Sequence, residues 1–312
     1  MTVTVVSAMV RPLIEPHLPE WVDARYYTSV EEMIELAPQA KIGWFDLEKK
    51  EPMLAAIRSA TNLKWLNSIY AGLDFLPFDL LRERGTIITN GAGINALTIA
   101  EYVVMGMLTI AKGYRDVVRA QDRHEWLLDS PGKRELAGSK ALVLGYGAIG
   151  KLIEARLTAF DVAVTKVRRS PGADTLGPDE WRARLGGFDW VILAVPATHE
   201  TDAMIGAKEL AAMKPSVVLI NIARGAVVDQ AALVDALREK RIAAAFLDVT
   251  TPEPLPAESP LWTLPNAHIT MHLSGRAQDK MFARAAERFV ANLHRWGRGE
   301  PVEPRFDLDL GY

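Results

Sequence analysis

The chain has 312 residues, 49% of them apolar and 24% charged, with a formal net charge of −3. That is enough chain for two substantial cores, too apolar a composition for disorder, and too nearly neutral a balance to favour nucleic acid or an anionic membrane. With no cysteine, a thiol nucleophile, thiolate metal ligands and disulfides are excluded.

The opening MTVTVVSAMV lacks the basic n-region and the apolar length of a signal peptide, and no segment approaches the roughly 18 apolar residues of a membrane span. A cytoplasmic protein without membrane or nucleic-acid partners is expected. Residues 3–6, 42–44, 63–66 and 87–89 read as strands, separated by helical stretches such as 30–37 and 53–60. A helix over 96–120 follows, then a polar connection, HEWLLDSPGKRELAG. The second block alternates more clearly, with strands expected at 141–144, 162–167, 190–195, 217–222, 243–247 and 267–270. Helices are expected at 150–160, 179–185, 207–213 and 230–239, and a last helix at 279–296 precedes a proline-containing tail. Such alternation predicts an α/β protein of two doubly wound parallel-sheet domains, one of them completed by the C-terminus.

Within KALVLGYGAIG an apolar strand passes into Gly145-x-Gly147-x-x-Gly150 and then a helix. Gly145 permits the tight turn, Gly147 lets backbone approach a pyrophosphate, and Gly150 lets the helix lie close on the strand. With Ala148 and Ile149 between them, they aim free helix N–H groups at the anion. A nicotinamide dinucleotide is the expected cofactor.

Ligands of an open parallel sheet bind beyond the carboxyl ends of its strands. Reading those positions in order gives the glycine turn, Arg168-Arg169-Ser170, Pro196-Ala197-Thr198, Arg224-Gly225, Asp248 with Glu253, and His272. Arg224, Glu253 and His272 suit the reversible reduction of a 2-oxo acid. A guanidinium fork binds the carboxylate and polarises the ketone, and an imidazole steadied by a carboxylate exchanges the proton as hydride is transferred.

NIARGAVVD (221–229), LDVTTPEPLP (247–256), ITMHLSG (269–275) and ELAGSKALVLGYGAIG together resemble the successive signatures of the D-isomer-specific 2-hydroxyacid dehydrogenases. The resemblance runs from about Asn67 to Asn292. It implies that Arg224, Glu253 and His272 are the catalytic set and that Asp248 lies near the nicotinamide carboxamide. NSIYAGLDFL is similar to the loop whose backbone N–H groups receive the substrate carboxylate, which assigns that role to Tyr70, Ala71 and Gly72. Trp44 matches a position held by an aromatic in some glyoxylate/hydroxypyruvate reductases and is read equally as a pocket residue or a core tryptophan. The implied domains are a flavodoxin-like substrate domain, 1–97 completed by 287–312, and a Rossmann cofactor domain, 98–286, with the reaction in the cleft between them and a homodimer formed through the cofactor domain.

Two departures from the family pattern stand out. Met271 replaces the usual proline before the histidine. Eighteen residues beyond Gly150, where an acid would accept bonds from the ribose 2′-OH, stand Arg168, Arg169 and Ser170. Guanidiniums and a hydroxyl bind a 2′-phosphate, so NADPH is expected over NADH. The remaining histidines, 17, 124, 199, 268 and 294, have no ligand spacing, and no metal is expected. The expected activity is reduction of a small 2-oxo acid such as glyoxylate or hydroxypyruvate. The alternatives are a dehydrogenase of a bulkier 2-oxo acid and a cofactor-sensing protein of the corepressor type, against which the lack of an appended basic or interaction segment counts.

Overall fold

A computed structural model of the protein describes all residues except Glu48, Asp74, 277–279 and 309–312. The chain divides into two compact units, residues 1–95 with 277–312, and residues 96–276.

The first unit runs β1 (Thr2–Ser7), α1 (Arg11–Ile14), β2 (Val22–Tyr27), α2 (Val30–Leu36), β3 (Ile42–Trp44), α3 (Lys50–Ser59), β4 (Trp65–Asn67), α4 (Phe78–Glu83) and β5 (Ile87–Thr89). Its strands form a parallel sheet in the order β2-β1-β3-β4-β5. Successive residues of a strand face opposite sides, so Val5 joins a core with Met33, Ile57 and Leu81. Val6 joins another, with Trp44, Trp65 and Phe289 of the C-terminal helix Met281–Gly297. Beyond that helix, Phe306 is buried in the first of these cores. The expected start of the helix at Asp279, and the last residues of the tail, lie outside the described residues.

Strand β2 was not expected from the sequence, because VDARYY shows no apolar run. It is an edge strand buried only at Val22 and Tyr27, and its charges pair with each other, Arg25 Nη2 lying 2.9 Å from Asp23. Charged edges of this kind guard a sheet against further pairing.

The second unit runs α5 (Ala96–Ala111), α6 (Tyr114–Asp122), β6 (Lys140–Leu144), α7 (Ala148–Thr158), β7 (Ala163–Val167), β8 (Trp190–Leu193), α8 (Ala207–Ala212), β9 (Val218–Asn221), α9 (Gln230–Arg238), β10 (Ala244–Leu247) and β11 (Ala267–Ile269). Its strand order is β11-β10-β9-β8-β6-β7, all parallel. Every carboxyl end therefore lies on one edge. The chain leaves β6 for β7 on one side and resumes at β8 on the other, which makes the β6/β8 junction the topological switch point.

Two sequence expectations fail here. The helix expected over 96–120 is two helices bent by 70° at Gly113, whose φ is +60°. A Cβ on that glycine would stand 2.8 Å from the Gly132 nitrogen, so its role is close approach as well as turning. The helix expected at 179–185 is a 3₁₀ turn, Arg182–Gly187, squeezed between Pro178 and the glycines that end it. Among the described residues no single helix is long and apolar enough to cross a membrane.

Candidate active site

The glycine turn after β6 fits a dinucleotide. Gly145 has φ +97°, and a Cβ there would lie 2.4 Å from the Ala194 carbonyl oxygen beyond β8, so only glycine is tolerated. A Cβ on Gly150 would lie 2.4 Å from the Gly145 oxygen, which is how closely α7 approaches the turn. At Gly147 the same Cβ would meet nothing within 4 Å, and that open space is what a phosphate needs. Ala148 and Ile149 begin α7, and Gly147 has no side chain to cap it, so the first helical N–H groups remain donors for an anion.

At the end of β7, Arg168, Arg169 and Ser170 are all exposed. The loop they open returns at Leu176, whose N–H donates to the Lys166 carbonyl at 2.8 Å and whose carbonyl accepts the Arg168 N–H at 3.0 Å. Its base is tied by Lys166, with Nζ 2.7 Å from Asp174 and 2.9 Å from Glu154 of α7. Bonding to Asp174 and Glu154 raises the pKa of Lys166, while Asp174 is held below the usual carboxylate range chiefly by Lys166. The Tyr146 hydroxyl, from inside the glycine turn, also donates to Glu154. Arg169 pairs with Glu200 at 2.9 Å, in the loop after β8. In that same loop Pro196 is exposed and its carbonyl accepts the Thr201 hydroxyl at 2.7 Å. Sequence reading passed over Tyr146, Glu154, Lys166 and Glu200, since their role is visible only once the loop closes.

The structure brings His272 and Glu253 together, with Nδ1 2.8 Å from Glu253 Oε2. The other carboxylate oxygen accepts the Thr250 N–H at 3.0 Å, so the acid is held at both ends. Both side chains are partly exposed, and it is Nδ1 rather than Nε2 that meets the acid. His272 sits in a turn built by Asp248, which is 2% exposed. One Asp248 oxygen accepts from Thr270 Oγ1 (2.7 Å) and the Leu273 N–H (3.0 Å); the other accepts from the Ser274 N–H (3.3 Å) and hydroxyl (2.5 Å). The visible work of Asp248 is therefore to shape the turn under the histidine. Within it Met271 and His272 have φ of +51° and +58°. Proline, fixed near −65°, cannot adopt the first of these, so the turn here differs in path from one with proline at that place.

Arg224 follows β9, where the buried Asn221 accepts the Ala223 N–H at 3.0 Å and donates to the Arg224 carbonyl at 2.9 Å. The half-buried guanidinium donates to the Ala223 carbonyl at 2.8 Å, its one hydrogen bond among the described residues. Its neighbour Gly225 lies so close to the Glu253 segment that a Cβ would stand 2.1 Å from the Thr250 oxygen. An anion-binding fork, an imidazole and its carboxylate thus lie at the ends of neighbouring strands. His268, within β11 itself, is half-buried, and that burial, with Arg115 nearby, lowers its pKa to about 4.

In the first unit, Tyr70, Ala71 and Gly72 lie in the loop after β4. The Tyr70 carbonyl accepts the Gly91 N–H at 2.8 Å, and the Ala71 carbonyl accepts Asn90 Nδ2 at 2.8 Å. A trans peptide points its N–H opposite to its carbonyl, so those two bonds turn the Ala71 and Gly72 N–H groups away from Asn90 and Gly91. Neither N–H has a partner among the described residues. A Cβ on Gly91 would fall 1.8 Å from the Ile69 oxygen, so glycine is required behind the loop. Trp44 is 4% exposed and packs on Phe289 at 5.1 Å, a core placement, with its indole N–H donating to Asp46 at 2.7 Å.

Residues 104–274 match the family model described as D-isomer specific 2-hydroxyacid dehydrogenase, NAD binding domain. The D-3-phosphoglycerate dehydrogenase of Archaeoglobus fulgidus is 31% identical over 72% of this chain and 43% of its own length. The chain spans about half the length of the phosphoglycerate dehydrogenases it matches. Glyoxylate/hydroxypyruvate reductase B of Pectobacterium atrosepticum is 34% identical over 80% of this chain and 82% of its own. A D-isomer specific 2-hydroxyacid dehydrogenase from Xanthobacter autotrophicus Py2, crystallised with NADPH and MES, superposes with a TM-score of 0.77 at 27% identity, covering 100% of this chain and 99% of that one.

Proposed function

Because the chain belongs to the D-isomer specific 2-hydroxyacid dehydrogenase family, we propose that it reduces a small 2-oxo acid to the 2-hydroxy acid with NADPH, glyoxylate and hydroxypyruvate being the first substrates to try. The observation that carries this reading is the 2.8 Å contact between His272 and Glu253 on the sheet edge that also bears Arg224 and the glycine turn.

Arg224 binds the carboxylate and polarises the ketone with the donors it does not spend on Ala223. The Ala71 and Gly72 N–H groups are a further pair of carboxylate donors, with Tyr70 completing their loop. A nicotinamide dinucleotide whose pyrophosphate is held at Gly145–Gly150 would supply the hydride. As hydride reaches the carbonyl carbon, the π pair moves to oxygen and takes the proton from His272 Nε2, leaving a neutral imidazole. Glu253, bound to Nδ1, fixes the ring so that Nε2 is the atom that exchanges the proton, and stabilises the charged form that donates it. Asp248 serves by holding the His272 turn, and Trp44 by supporting Asp46.

Arg168, Arg169 and Ser170 supply cationic and hydroxyl donors for a 2′-phosphate, and the NADPH complex of the Xanthobacter relative supports that preference. A homodimer through the second unit is supported by its exposed Trp126 and Leu128, 90% and 97% accessible. The relatives named as D-3-phosphoglycerate dehydrogenases favour one second reading, a larger anionic substrate.

Initial rates of NADPH and NADH oxidation with glyoxylate, hydroxypyruvate, pyruvate and phenylpyruvate, and of NAD(P) reduction with D-3-phosphoglycerate, test both readings. NADPH-dependent turnover of glyoxylate and hydroxypyruvate is expected. Turnover confined to phosphoglycerate would transfer the assignment to the second reading, and none at all with cofactor bound would leave a cofactor sensor.

A further inference from the structure

The loop that carries Ala71 and Gly72 is held by one carboxylate that belongs neither to the catalytic set nor to the cofactor site. Asp46 follows β3. Its Oδ2 accepts the Ile69 N–H at 2.6 Å and the Trp44 indole N–H at 2.7 Å, and its Oδ1 accepts the Ser68 hydroxyl at 2.7 Å. The Ser68 oxygen in turn accepts the Tyr70 N–H at 3.1 Å, and the Tyr70 hydroxyl donates to the Leu47 carbonyl at 2.9 Å. Three consecutive residues before Ala71 are thus tied, directly or through one hydroxyl, to the segment that follows β3. On the other side, Asn90 and Gly91 hold the Tyr70 and Ala71 carbonyls.

We propose that Asp46 is the positioning residue for substrate-carboxylate recognition: it clamps Ser68–Tyr70 from one side while Asn90 and Gly91 hold the next two carbonyls from the other, so that the Ala71 and Gly72 N–H groups are presented as a rigid pair. Charged acceptors of backbone N–H groups make the stronger hydrogen bonds; two of the three donors on this carboxylate belong to the loop, and the third, from Trp44, fixes the carboxylate that holds them. Nothing at Asp46 reaches the reacting atoms. Its effect is on binding of the anion and not on transfer of the hydride.

The inference rests on the reading that this loop receives the carboxylate, and the experiment separates the two. Oxalate, a dicarboxylate that cannot be reduced at a ketone, is titrated calorimetrically into the NADP-loaded protein, wild type, Asp46→Ala, Asp46→Asn and Ser68→Ala. Losing the clamp should weaken oxalate about ten-fold in Asp46→Ala and about three-fold in Ser68→Ala, as expected for one or two hydrogen bonds. Asp46→Asn should restore affinity, because its amide oxygen can take the Ile69 and Trp44 donors while its NH₂ donates to Ser68. Where glyoxylate is turned over, KM should rise in parallel while kcat and NADPH affinity stay near wild type. Oxalate that fails to bind the wild type removes the carboxylate-loop reading and the inference with it. Oxalate that binds wild type, Asp46→Ala and Ser68→Ala alike removes only the positioning role. Should Asp46→Ala fail to fold, equal binding by wild type and Ser68→Ala alone overturns it.

Discussion

The two units present candidate site groups at the carboxyl ends of parallel strands, but they make them from different material. In the second unit the candidate groups are side chains, Arg224, Glu253 and His272, carried on backbone that the side chains of Asn221 and Asp248 brace. In the first unit the candidate groups are backbone N–H donors at Ala71 and Gly72, and side chains, Asp46 and Asn90, do the bracing. The side-chain site depends on which residues stand at the strand ends. The backbone site depends on peptide orientation, so residue identity matters one step away, in the residues that aim it.

The largest effect should come from contrasting truncations. His272→Ala should lower kcat by about 10³-fold while leaving NADPH binding intact, since positioned proton transfer contributes on the order of 10²–10⁴. Ala71→Ser keeps the backbone N–H that is the candidate donor and adds only a hydroxyl at an exposed position, so kcat and KM should stay within about three-fold, less than the loss of a typical hydrogen bond. Steady-state kinetics on both variants decides the matter: near-normal turnover by His272→Ala takes the proton-transfer role from it, and collapse of Ala71→Ser breaks the contrast.

A smaller effect is expected at the cofactor. Replacing Arg168 and Arg169 together by Asp and Ala should cut the NADPH-to-NADH ratio of kcat/KM by about 100-fold, the loss expected for charge-assisted bonds worth about 1.5–3 kcal/mol. An unchanged ratio would mean that neither guanidinium meets the 2′-phosphate. Because Glu200 already pairs with Arg169, removing Arg168 alone should account for most of the change.

The same division explains what was legible in the sequence. The strands that read clearly were those with uninterrupted apolar runs, such as Leu142–Leu144 and Val191–Leu193, which are buried on both faces of the second sheet. Edge strand β2 was missed because its residues are only half buried, and the bend at Gly113 because one glycine in a helical pattern carries no sign of the chain it must approach. Arg224, Glu253 and His272 stand out in the sequence because the proposed chemistry admits only a few residue types at strand ends. Asp46, Ser68 and Lys166 were not, since each acts on a backbone segment distant in sequence and no local spacing marks it. Trp44, which the sequence leaves equally readable as a pocket or a core residue, has its ring in the core, and its indole N–H bears on the loop through Asp46.

The smallest effect should separate the units by their response to acid. In the first unit, burial pushes Asp46 up to about 6, so the folded chain takes up this proton more readily than the unfolded one, where a carboxyl titrates near 3.9. Its contribution to stability therefore rises as pH falls from about 6 toward 4. In the second unit, burial and Arg115 lower His268 to about 4, while the unfolded imidazole titrates near 6.5. Here the unfolded state binds the extra proton, and stability falls as pH drops through the window from 6.5 to 4. Each full shift corresponds to about 3 kcal/mol by linkage, with opposite signs, so in the wild type they largely offset each other. Asp46→Asn should accordingly lose thermal stability relative to wild type between pH 7.5 and pH 4.5, and His268→Asn should gain it, whatever constant packing cost each carries at pH 7.5. Melting curves at those two pH values check this, and Tm differences that stay constant with pH for both variants would show that neither group titrates in the fold as its surroundings require.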